Sequence, residues 1–169
     1  MVFELETPIV TSNGVAVQIA IGQLVISLSL SGAMDDFLVN KLLDKIFRGQ
    51  AYDYPSSVFL AAIKADGTEV GGGIGYTRAE LQSTLTELSG TQGPGTTSAS
   101  SGSTGRSSNN NLIAYPEPTA PWGDIKSVWV YSVLSSGDRL WRKDLVSQKS
   151  IDVGVVLSFQ ADQLGFTIS

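Results

Sequence analysis

The chain has 169 residues, 11 Lys and Arg against 16 Asp and Glu for a net charge of −5, 42% hydrophobic residues, and neither cysteine nor histidine. That length suits one domain of moderate size with a real core. The composition excludes disulfides, thiolate metal sites, a cysteine nucleophile and an imidazole base, and the scattered cations lack the basic stripe that nucleic-acid binding requires.

Residues 1–14 carry Pro8 and the cluster Thr11-Ser12-Asn13-Gly14, an extended lead-in followed by a turn. Residues 15–30 then read VAVQIAIGQLVISLSL, uncharged and alternating at period two. Val15, Val17, Ile19 and Ile21 fall on one face of a first strand, and Leu24, Ile26, Leu28 and Leu30 on one face of a second. Full burial of eight such side chains is worth roughly 12–24 kcal/mol, at ~1.5–3 kcal/mol each before ordering costs. Something must cover that face, either the chain's own core or a neighbouring subunit. Polar interruptions at Gln18, Gln23, Ser27 and Ser29 argue against a membrane span, and the acidic Glu4 and Glu6 argue against a secretory signal. Residues 1–33 are therefore expected to form a β arm or hairpin whose eight apolar residues are the subunit or partner interface.

From residue 34 the period changes. Leu38, Leu42 and Ile46 lie four apart beside a second row of Val39, Leu43 and Phe47, predicting one amphipathic helix over 34–48. Asp35 and Asp36 favour its N-terminus, Lys45 and Arg48 its C-terminus, and Gly49 is the expected left-handed cap. Residues 58–64 read as a buried strand, followed by the Asp66-Gly67 turn, Thr68-Glu69-Val70 and a glycine cluster. Residues 76–88 fit strand or helix, and their threonines favour strand.

Residues 89–111 are almost purely Gly, Ser, Thr and Asn. Such a stretch buries too little apolar surface to offset its conformational entropy, so it is expected to be either a long mobile loop or a segment clamped between subunits. Further strands are expected over 112–115, 125–134, 140–145, 151–159 and 164–168, with Arg139, Arg142 and Lys143 as a solvated flank of the turn before them. Short strands at this spacing with one helix predict a mainly β fold for 34–169, a single antiparallel β-sandwich of jelly-roll or immunoglobulin-like type.

Few residues invite chemistry. Gly71-Gly72-Gly73-Ile74-Gly75 lacks the Gly-Lys-Ser/Thr of a phosphate loop and the third glycine of a dinucleotide fingerprint, so it reads as a turn or bulge. Asp35-Asp36 has its helix-dipole reason to exist and needs no metal. Trp122, Trp129, Trp141, Tyr115 and Tyr131 suit a core better than a sugar-stacking surface. Tyr115 and Trp122 flank prolines, which marks them as the aromatics expected to be exposed and available for contacts. No catalytic, cofactor or metal residue is assigned, and no membrane or nucleic-acid partner is expected.

Several segments, in this order, resemble a family of tailed-bacteriophage virion proteins labelled tail-fibre or head-fibre-like. They are residues 40–52, Asn-Lys-Leu-Leu-Asp-Lys-Ile-Phe-Arg-Gly-Gln-Ala-Tyr; Pro55 before the 58–63 strand; Thr68-Glu69-Val70-Gly71-Gly72-Gly73 with Tyr76-Thr77-Arg78; Trp122-Gly123; and the closing residues 156–164. The resemblance covers roughly 36–169. It implies a non-enzymatic structural protein of the virion whose partners are the major capsid protein, other virion proteins and copies of itself, including as a trimer. Residues 1–33 and 89–111 lie outside the shared core, where attachment chemistry is expected. Without the repeats or heptads of a long fibre, the expected role is capsid decoration or cement. The alternatives are a tail, head-fibre or neck component, and a receptor- or glycan-binding module.

Overall fold

The uncharged N-terminal run forms strands β1 (Ile9–Thr11), β2 (Val15–Ala20) and β3 (Gln23–Ser27), paired antiparallel in the order β1-β2-β3. In this computed structural model residues 33–168 are described with their side chains, and residues 9–11, 15–20 and 23–27 by their backbone. The chain divides into two units, Met1–Ser31 and Gly32–Ser169. The lead-in through Pro8 and the turn at residues 12–14 lie outside the described residues.

The second unit opens with β4 (Ala33–Met34) and helix α1 (Asp36–Phe47), one to two residues shorter at each end than its periodicity predicts. Asp35 holds the extended backbone of an N-cap, but its carboxylate accepts a hydrogen bond from Arg139 Nε at 2.5 Å and caps no helix amide. Gly49 adopts the expected left-handed conformation, with φ of +65°. Leu38 reaches the core, yet no helix residue is fully buried, and Leu43, Ile46 and Phe47 face solvent among the described residues.

The remaining strands are β5 (Ser57–Lys64), β6 (Ala79–Gln82), β7 (Arg106–Ser108), β8 (Ile113–Ala114), β9 (Gly123–Tyr131), β10 (Arg139–Ile151), β11 (Ser158–Phe159) and β12 (Gly165–Thr167). The molecule is thus mainly β, and its strand pairs are antiparallel throughout. A five-stranded sheet runs β4-β10-β9-β5-β6, and β8-β11 and β7-β12 form two small ribbons. Strand β5 lies inside the sheet with both faces covered: Leu60, Ala61, Ala62 and Ile63 are at most 1% exposed, as the expectation of a buried strand requires. The register sets small Ala61 opposite Trp129 and Leu60 opposite Val130, so bulk on one strand meets space on the next. Ribbon residues Ile113 and Phe159 join Leu60, Val128, Val130 and Trp141 in one hydrophobic cluster. Complete burial of side chains such as Leu60, Ile125 and Val128 contributes about 1.5–3 kcal/mol each.

Two expected strand boundaries need correction. The two strands expected over 140–145 and 151–159 are instead one long strand, β10, followed by a turn and the two-residue β11. The pairing of β10 with β9 is irregular between Asp144 and Lys149, and the adjacent Leu145-Val146 followed by Ser147-Gln148-Lys149 leaves no period-two signal to read. Residues 76–88 hold only the four-residue β6 before turns.

Residues 89–111 are threaded by hydrogen bonds within the chain. Thr91 Oγ1 donates to Gly102 O at 3.0 Å, Thr104 Oγ1 to Thr91 O at 2.7 Å, and Gln92 Nε2 to Ala99 O at 2.6 Å. Asn109, 1% exposed, donates from Nδ2 to Asn111 O and Gln160 O and accepts from Leu164 N–H. Polar side chains therefore supply the order that apolar burial alone could not. The cation flank is likewise more structured than expected. Arg139 pairs with Asp35 and lies 4.4 Å from the Trp129 ring centroid, while Lys143 Nζ donates to Gly165 O at 3.1 Å. Arg142 is exposed, whereas Arg139 and Lys143 are half-buried.

Candidate functional site

Of the arm residues expected to form an interface, Val15, Val17 and Ile19 lie in β2, and Leu24 and Ile26 in β3. The register sets Val17 opposite both Ile9 and Ile26, and Ile19 opposite Leu24. Ile21, Leu28 and Leu30 fall outside the described residues.

Tyr115 and Trp122, expected to be exposed, are each 3% exposed. Their flanking prolines, Pro116 and Pro121, are exposed but do not lift the rings into solvent, because the backbone of each aromatic residue is tied inward. Trp122 N–H donates to Ile151 O at 2.9 Å and Tyr115 N–H to Leu157 O at 3.0 Å. Trp122 Nε1 donates to Ile74 O at 3.0 Å. The Trp122 ring meets the Tyr76 ring edge-on at 5.2 Å between centroids and the Tyr115 ring at 6.0 Å, an aromatic cluster that holds the core. These rings offer no platform to a ligand. Burial pushes the Tyr115 phenol well above its ordinary pKa, and its hydroxyl has no hydrogen-bond partner among the described residues.

The same cluster borders an ion-pair network that composition and periodicity do not reveal. Gly75, with φ of +74°, brings the chain close to its neighbours: a Cβ there would lie 2.5 Å from Glu117 O and 2.8 Å from Thr119 N. Three residues later Arg78 opens toward Glu69. Arg78 Nε and Nη2 donate to Glu69 Oε1 and Oε2 at 2.9 and 2.8 Å, and Nη1 donates to Val133 O at 3.0 Å and Ser136 O at 2.9 Å. The guanidinium carbon lies 3.7 Å from the centroid of the Tyr131 ring. Tyr76 Oη donates to Glu69 Oε1 at 2.8 Å and accepts from the Ala62 N–H at 3.0 Å, completing the hydrogen bonding of β5 where β6 no longer reaches.

Burial opposes ionisation of Glu69, but hydrogen bonds from Arg78 and Tyr76, with the Arg78 charge, hold its carboxyl below the ordinary glutamate value. Burial and the Glu69 hydrogen bond push the Tyr76 phenol upward. A carboxylate held ionised beside a permanent cation is no proton shuttle near neutrality. Its work is mechanical. Arg78 fixes the turn between β9 and β10, where Ser136 stands at φ of +58°, against the segment that follows β5. Between these two segments lies an open cleft of about 280 Å³, lined by Glu69, Tyr76, Thr77, Leu134, Ser135 and Ser136 among others. The signal for this site was present in the sequence. Glu69, Tyr76 and Arg78 are the polar residues of the Thr-Glu-Val, triple-glycine, Tyr-x-Arg pattern on which the resemblance rests in part.

Among the described residues, no three carboxylates gather as a metal site, and no helix is long and apolar enough to cross a membrane. No curated protein matches the chain. The family model described as Podophage GP4 fiber I protein gp80 matches residues 33–167, nearly the whole second unit. The chain therefore belongs to the podophage GP4 fiber I protein gp80 family and is a structural protein of a tailed-phage virion.

Proposed function

We propose that this protein is a non-enzymatic fibre component, held in the particle by its N-terminal strands and presenting the second unit as a rigid body. The observation that carries the reading is the division of the chain. The family match begins at residue 33, while the uncharged, alternating β1-β2-β3 sheet belongs to the separate unit Met1–Ser31. A three-stranded sheet of this size needs its apolar face covered to be stable. Val15, Val17, Ile19, Ile21, Leu24, Ile26, Leu28 and Leu30 supply such a face in sequence, and the cover is another virion protein or a second copy of this chain. Strand addition or face-to-face burial would both serve.

Capsid cementing through the same strands is the other placement, with the major capsid protein as partner. The family's fibre description favours the first. Both make the arm the attachment device, so the test is incorporation. Phage carrying Val17→Asp and Ile26→Asp should yield particles depleted of this protein, while the purified variant keeps the circular dichroism and melting of its second unit. Normal copy number in purified particles would overturn the reading. Heating the depleted particles separates the placements: unchanged capsid melting fits a fibre, and breakage at lower temperature fits a cement.

A further inference from the structure

We infer that the cleft between the Gly72–Thr77 stretch and the β9–β10 turn binds a neutral sugar residue. Charge decides the class of ligand. Glu69 and Arg78 satisfy each other through two parallel hydrogen bonds, so the cleft carries no net charge to attract an anion or a cation. What remains available is uncharged polarity: the hydroxyls of Thr77, Ser135 and Ser136 have no hydrogen-bond partner among the described residues, and all three line the cleft. Glu69 Oε2 accepts only from Arg78, which leaves one acceptor position on a side chain that is 29% exposed. Beside these polar groups Leu134 is 51% exposed, an apolar shelf of the kind that the C–H face of a sugar ring covers. The turn that presents Leu134, Ser135 and Ser136 is already fixed by the Arg78 hydrogen bonds to Val133 O and Ser136 O, so ordering it on binding costs little. The open form of the cleft admits one residue within a longer glycan as readily as a free sugar.

This site is independent of the arm, and its test therefore separates from the test of attachment. The intact chain is titrated with D-glucose, D-galactose, N-acetylglucosamine and L-rhamnose, and with N-acetylneuraminic acid as the charged counterpart, while backbone amide shifts are followed by NMR. At least one neutral sugar should move the amides of Gly72, Tyr76, Thr77, Leu134, Ser135 and Ser136 saturably. Leu134→Ala and Thr77→Val, both at exposed positions, should each weaken that binding by about tenfold with no change in melting temperature. The inference is overturned if none of the four neutral sugars gives a saturable response, if the shifts map elsewhere, or if N-acetylneuraminic acid binds more tightly than all four.

Discussion

Arg78 and Glu69, nine residues apart, meet fork to fork at 2.8 and 2.9 Å, and through that pair two loops separated by more than 50 residues of sequence become one structure. The arginine is 7% exposed and also caps the Tyr131 ring. A buried ion pair of this kind gains little over an apolar substitute, but losing one partner strands the other.

Arg78→Ala should therefore destabilise the second unit by about 2–4 kcal/mol, because Glu69 loses its countercharge and keeps only the Tyr76 hydroxyl, while the carbonyls of Val133 and Ser136 lose their donor. Arg78→Lys should recover only part of that, since an ammonium cannot make the bidentate contact. Urea unfolding followed by tryptophan fluorescence measures both. A loss below about 0.5 kcal/mol for Arg78→Ala would show that the pair is ornamental.

The same pair predicts a pH dependence. The folded pKa of Glu69 lies below its ordinary 4.5, so its contribution to stability is present above that value and is lost as pH falls through the folded pKa. The melting temperature should decline on acidification below about pH 4.5, and Glu69→Gln should flatten that decline while lowering stability at neutral pH. An unchanged acid limb in the variant would assign the decline to other carboxylates.

Gly75 and Gly71 make a matched pair. A methyl group at Gly75 meets backbone at 2.5 Å under a left-handed φ, whereas one at Gly71 meets nothing within 4 Å. Gly75→Ala should cost about 1–3 kcal/mol or more, and Gly71→Ala should stay within about 0.5 kcal/mol of the parent. Equal effects would mean that the close approach to Glu117 and Thr119 is absent in solution.

Asn109 tests whether the polar segment is folded by its own contacts. Asn109→Ala leaves Leu164 N–H and the carbonyls of Asn111 and Gln160 without their side-chain partner inside the fold. The expected cost is about 3 kcal/mol, with faster proteolysis within residues 89–111. Equal digestion of parent and variant at that segment would favour the free loop that its composition suggests.

Much of the architecture was legible because it rests on periodicity. The four-residue spacing of Leu38, Leu42 and Ile46 marks α1, and the run Leu60-Ala61-Ala62-Ile63 marks a strand covered on both faces. The errors came where non-local contacts outvote local cues. Prolines beside Tyr115 and Trp122 suggested exposure, yet the edge-on contacts of Trp122 with Tyr76 and Tyr115 and the bond from Trp122 Nε1 to Ile74 O draw both rings inward. The Ser- and Thr-rich segment was weighed by apolar burial alone, which misses what Asn109, Thr91 and Gln92 contribute through hydrogen bonds. The ion pair of Glu69 and Arg78 follows no spacing rule at all. It becomes visible in sequence only through the Thr-Glu-Val, triple-glycine, Tyr-x-Arg segment of the resemblance, whose Glu69, Tyr76 and Arg78 the fold brings together.

A cryo-electron microscopy map of the intact particle, with gold or antibody marking the N-terminus, tests the account most directly. The second unit should project from the virion as part of a fibre while the marked strands lie at its base against another virion protein. Density for the second unit seated across the capsid lattice, or a marked N-terminus pointing away from the particle, would contradict it.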